Sequence, residues 1–145
     1  MTHTPRTLPR WRALLLGLSG AALLGCSTEA ANRIVITPSG TAEVSVLNSN
    51  LQGECELKTG SALYEDKILT AWVQLQSHKD VKQTLEGRWT FEDRDGFVLK
   101  GTRAWKSVFV NAQEEQRVEG RAPSPQAVRA IYELRYHSGQ TDGDE

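Results

Sequence analysis

Cysteine and histidine are scarce in this chain of 145 residues, with two of the first and three of the second. Two cysteines allow at most one disulfide, which excludes a cysteine-stapled scaffold. No Cys or His residues stand at metal-ligand spacing. His78 lies in the polar turn His78-Lys79-Asp80 and His137 near the C-terminus, with no nucleophile and orienting acid spaced to converge on either. Both read as solvated turn residues. Glycine-rich phosphate loops, internal repeats and low-complexity stretches are also lacking. So is a hydrophobic run long enough to span a bilayer. The uncharged stretch from Ala13 to Leu24 has twelve residues, about 18 Å of helix against a hydrocarbon core of roughly 30 Å.

What surrounds that stretch is informative. Arg6, Arg10 and Arg12 precede it and Leu23-Leu24-Gly25-Cys26 closes it, the basic, apolar and small-residue order of a secretory signal. The ending resembles the lipobox of bacterial lipoproteins, whose cysteine takes a diacylglyceryl group and becomes the new N-terminus. Leu24 is larger than the small residue usual before the glycine. The resemblance makes residues 1–25 a lipoprotein signal peptide and Cys26 the lipidation site, with membrane contact through its acyl chains. Ser27 stands where an Asp commonly signals inner-membrane retention, so the resemblance implies the outer membrane, facing the periplasm. An ordinary signal peptide with a chance cysteine is the alternative.

Beyond Cys26 there are 14 Lys and Arg against 18 Asp and Glu, a formal charge of −4. That balance argues against nucleic acid and against electrostatic docking on anionic lipid. With Cys26 lipidated, Cys55 has no partner in the chain and is either paired between molecules or buried and inert. Its neighbours Glu54 and Glu56 raise a thiol pKa and disfavour activation.

The dominant period is two. Val44 and Val46 alternate with polar neighbours. Leu69, Ala71, Val73 and Leu75 share one face of Ile68–Ser77, and Leu85, Gly87, Trp89 and Phe91 share one face of the next run. Asp93-Arg94-Asp95-Gly96 then reads as a hairpin turn into Phe97-Val98-Leu99. Ala104–Val110, Arg117–Arg121 and Ala130–Tyr136 complete the set, with single helical turns conceivable at Gln113–Arg117 and Ser124–Val128. About seven strands with frequent turns predict an all-β, immunoglobulin-like antiparallel β-sandwich. Residues 26–42 read as a tether whose Arg33–Thr37 could add a short edge strand, residues 43–137 as the sandwich, and residues 138–145 as a disordered acidic tail.

Trp89, Trp105, Phe91, Phe97, Phe109 and Tyr132 are expected in or around the core. Trp72 falls opposite the apolar face of its strand, so it is either buried by a second layer or a partner-binding candidate. Glu92, Asp93 and Asp95 could gather a calcium ion, but no glutamate closes the loop and turn formation explains them. Neither metal nor soluble cofactor is expected.

Arg88-Trp89-Thr90-Phe91-Glu92-Asp93-Arg94-Asp95-Gly96-Phe97, Trp105, Gly120-Arg121-Ala122-Pro123-Ser124-Pro125-Gln126-Ala127 and Leu134-Arg135 resemble, in that order, the YcfL-like bacterial lipoproteins. Trp89 stands where a Phe is more usual there, and Glu92 where a second aromatic is common. The resemblance covers about Val44 to Tyr136. It implies an immunoglobulin-like sandwich and brings no catalytic residues. The leading expectation is a non-enzymatic binding or scaffolding module anchored in the envelope, with a periplasmic or envelope protein as partner. A small-ligand-binding lipoprotein and a hydrolase with an unrecognised site are the rivals.

Overall fold

The computed structural model describes residues 30–138, which form an all-β sandwich of eight strands and one short helix. The segment expected to be a signal peptide, the expected lipidation site Cys26 and residues 139–145 of the expected acidic tail lie outside the described residues. The elements are β1 (Asn32–Ile36), β2 (Ala42–Ser45), α1 (Ser49–Glu54), β3 (Cys55–Glu65), β4 (Ile68–Ser77), β5 (Gln83–Glu92), β6 (Lys106–Val110), β7 (Glu115–Arg121) and β8 (Arg129–Tyr136). One sheet has the order β2-β1-β8-β5-β6 and the other β3-β4-β7, with antiparallel neighbours throughout. No helix among the described residues is long and apolar enough to cross a membrane.

The core follows from alternation. In β4, Leu69, Ala71, Val73 and Leu75 are fully buried while the residues between them are half-exposed. Ile34 and Ile36 of β1, Leu85 and Phe91 of β5, and Tyr132 and Leu134 of β8 face them from the larger sheet. β1 is therefore an inner strand, hydrogen-bonded to β2 on one side and β8 on the other, rather than an edge strand of a tether. Asn32 opens it fully buried. Its Oδ1 accepts from the backbone N–H of Leu47 and Asn48, and its Nδ2 donates to Asn48 O at 3.0 Å and Gln52 Oε1 at 3.3 Å. The link fixes the β2–α1 connection, where Asn48 caps the helix by accepting from Leu51 N–H.

Other expectations are corrected. β2 is exposed along its length, so Val44 and Val46 do not reach the core. The Asp93–Gly96 turn forms, with Gly96 at φ +83° and Asp93 Oδ1 accepting from Asp95 and Phe97 N–H. Phe97–Leu99 nevertheless makes only an isolated bridge, Glu92 to Val98, because Gly101, at φ +87°, helps turn the chain away. Phe97 and Phe109 are 70% and 55% exposed. Trp105 lies not in the core but on the outer face of the larger sheet, between the guanidinium groups of Arg88 and Arg135 at 4.4 and 4.1 Å from its ring centre. Gln113 and Pro125-Gln126 sit in turns rather than helices.

Two glycines make room for aromatics between the sheets. A Cβ on Gly87 would lie 2.1 Å from the Tyr132 hydroxyl, and one on Gly120 would lie 2.6 Å from the Trp89 ring. Gly120→Ala should therefore overpack the sandwich and cost about 1–3 kcal/mol in urea unfolding. An unchanged midpoint would show that the indole does not rest on β7. Gly96→Val should cost a similar amount, about 1–3 kcal/mol, through backbone strain alone, since the nearest atom to its Cβ is an Arg129 side-chain nitrogen at 3.8 Å.

Candidate binding cleft between the sheets

The two sheets differ in width, five strands against three, and the mismatch leaves a flank uncovered. Edge strand β6 of the larger sheet and edge strand β7 of the smaller do not pair. Between them opens a cleft of about 350 Å³. Trp89 and Phe91 of β5, Tyr132 of β8, Val108 of β6 and Val118 of β7 form its apolar lining. Trp89 packs against Phe91 and Tyr132, with ring centres 5.9 and 4.9 Å apart.

Two polar atoms in this lining are buried without a hydrogen-bond partner among the described residues, the Tyr132 hydroxyl and Trp89 Nε1. Leaving such a group unsatisfied typically costs about 1–3 kcal/mol. Burial pushes the Tyr132 phenol above its ordinary range, with Cys55 adding to the effect, so the hydroxyl keeps its proton and can donate. Lys106 and Arg121 stand at the mouth outside any ion pair among the described residues, whereas Glu119 is held by Arg117 at 2.8 Å. The cleft thus offers an apolar body, two unused N–H or O–H groups and cations at its entrance. A larger trough, about 720 Å³, lies at the end of the sandwich by Tyr64, Asp93 and Pro125. Its phenol already donates to Ala127 O at 3.1 Å and its Asp93 is spent on the turn.

The residues singled out by sequence fall elsewhere. Trp72 is half-buried on the outer face of the smaller sheet, its ring covered by Arg117 at 4.6 Å. Cys55 is buried and free, and desolvation followed by the charge of Glu54 pushes its thiol up to about 12. His78 faces Glu56 at 3.3 Å and His137 faces Glu86 at 3.9 Å. Glu92 is paired with Arg129, and no group of three or more metal-ligating side chains gathers among the described residues. Sequence reasoning placed Trp89 and Tyr132 near the core but missed the cleft, which arises from unequal sheet widths. Gly87 and Gly120 at mid-strand positions were the available signal.

Tyr132→Phe deletes an unpartnered buried hydroxyl and should leave the domain equally stable or raise its stability by about 1 kcal/mol. A clear loss in Tm would mean the hydroxyl is bonded. For Cys55, the folded state keeps its proton up to about pH 12 while the unfolded thiol loses it near 9.0. Its contribution is thus complete below the unfolded value and declines as pH rises between the two. Cys55→Ala should flatten that alkaline decline in stability measured by denaturant titration.

No curated protein matches this sequence. A crystal structure of a DUF1425 family member from Shewanella sp. pv-4 is 24% identical with a TM-score of 0.54, covering 72% of this chain and 95% of its own. Campylobacter jejuni cj0090 is 19% identical with a TM-score of 0.50, covering 56% of this chain and 85% of its own. Both likenesses concern the fold. Residues 28–135 match the family described as protein of unknown function (DUF1425), and the chain belongs to that family.

Proposed function

We propose that this protein is a lipid-anchored, non-enzymatic binding module of the outer membrane, facing the periplasm and akin to the YcfL-like lipoproteins within its family. Its anchor is Cys26, for which the lipobox-like Leu23-Leu24-Gly25-Cys26 and the absence of an Asp at Ser27 are the support. Its binding site is the aromatic cleft. The observation that carries this reading is the pair of unpartnered groups, Tyr132 Oη and Trp89 Nε1, in a cleft opening between two unpaired edge strands. Such a site suits an extended segment of an envelope protein that inserts an apolar side chain and offers carbonyl oxygens, because free strand edges stand on both sides of the opening. The small-ligand reading is favoured by the same buried donors and is separated from the first by what is captured.

Two measurements test it. A fatty-acid analogue should label the wild-type protein and miss Cys26→Ser, and equal labelling of both would remove the anchor. A photo-crosslinker at Ser107 in the membrane-bound protein should give a defined adduct that a crosslinker at Lys58, which pairs with Glu115 on the smaller sheet, does not. Val118→Trp, which fills the cleft, should abolish the adduct without lowering Tm. An adduct that survives the filled cleft would place binding elsewhere.

A further inference from the structure

The outer face of the larger sheet carries charge in rows. Glu86 lies opposite Arg135, Arg88 opposite Glu133 and Glu92 opposite Arg129 across the β5–β8 pair, and each couple is bonded. One row extends further, because Glu133 is also opposite Arg33 of β1. The Arg33 side chain nevertheless has no hydrogen-bond partner among the described residues. Its Nε is buried with no partner, and the side chain enters no ion pair among the described residues. Arg103, exposed on the connection from Val98 to Trp105, is likewise in no ion pair. Both line a pocket of about 240 Å³ with Arg88, Thr90, Glu92 and Glu133.

The charge balance of this pocket is uneven. Glu133 is taken by Arg88 at 2.6 Å and Glu92 by Arg129, so the two carboxylates are neutralised within the ladder. Arg33 and Arg103 remain as two uncompensated guanidiniums facing one cavity. Burying a charged donor without an acceptor is costly, and a planar guanidinium is best satisfied by a group presenting two oxygens. We propose that this pocket binds an anionic group, a phosphate or carboxylate, held by Arg33 and Arg103. The site is distinct from the inter-sheet cleft, being on the opposite face of the same sheet. The chemistry has two sources, a soluble anion or a lipid headgroup. Arg33 lies seven positions after Cys26, at most about 25 Å of extended chain, which puts a headgroup within reach if the anchor proposed above is real. Only that arm rests on the anchor.

The test uses the full chain and inorganic phosphate as probe, with sodium chloride adjusted to constant ionic strength so that screening is held fixed. Phosphate should raise Tm saturably in the wild type. Arg33→Gln and Arg103→Gln should each weaken the apparent affinity by about tenfold or more, the worth of one charge-assisted hydrogen bond. Arg121→Gln, at the mouth of the other cleft, should not. Arg103 is exposed, so its variant remains informative if Arg33→Gln fails to fold. Cosedimentation with phosphatidylglycerol vesicles, compared with phosphatidylcholine vesicles, distinguishes the sources. Arginine-dependent vesicle binding that phosphate competes away identifies a headgroup, and phosphate binding without it identifies a soluble anion. No saturable shift in the wild type, or equal shifts in all variants, would overturn the site.

Discussion

The close fit of Trp89 over Gly120 spans the two sheets, and Tyr132 lies over Gly87 within the larger one. Tyr132 and Trp89 are direct cross-strand partners on the inner face of the larger sheet, and each occupies the volume that a side chain at Gly87 or Gly120 would take. The indole reaches β7 of the opposite sheet, so it braces the sandwich on the flank where no fourth strand covers the larger sheet. Filling that flank with rigid rings, rather than with flexible aliphatic chains, leaves a cavity of defined shape at its rim. The same fit strands the phenol hydroxyl and the indole nitrogen away from solvent, with no hydrogen-bond partner among the described residues.

The outer face of that sheet obeys a different rule. There the cross-strand partners are charged, and burial works to raise the Glu86 carboxyl while bonds from Arg135 and Ser138 outweigh it and hold the carboxyl below its usual range. Individually such pairs contribute little, about 0.2–1 kcal/mol. Trp105 binds them together by lying between Arg88 and Arg135, which orients both guanidiniums toward their carboxylates. Ile131 is only 3% exposed among them, so this face is partly dry. In a half-dry ladder of fixed charges, Arg33 stands out as an arginine whose side chain has no ion-pair partner among the described residues.

Strands with unbroken alternation were legible before any coordinates. Ile68–Ser77 coincides with β4, and the runs around Trp89 and Tyr132 lie within β5 and β8. β3 escaped because its register shifts between Leu57 and Thr59, so the buried parity changes from Cys55 and Leu57 to Ala62 and the period of two is lost. The helix escaped because six residues with a single buried side chain, Leu51, show no stripe. Trp105 was misplaced for a related reason. Its position precedes β6, where no alternation constrains the side chain, and Arg88 of β5 and Arg135 of β8 hold the ring on the outer face. The cleft itself could not be read at all, since it depends on how many strands each sheet recruits.

Asn32 has a mechanical consequence. It is the first residue of β1, it is buried, and its side chain holds the turn that follows β2. Tension applied through the residues before it enters the sheet along the axis of an inner strand bonded on both sides. Such a load is carried in shear by all the β1 bonds at once, to β2 and β8 together, rather than peeling them one by one as it would from an edge. A pull on the N-terminal side of the domain therefore meets two ladders of backbone bonds and the buried Asn32 together.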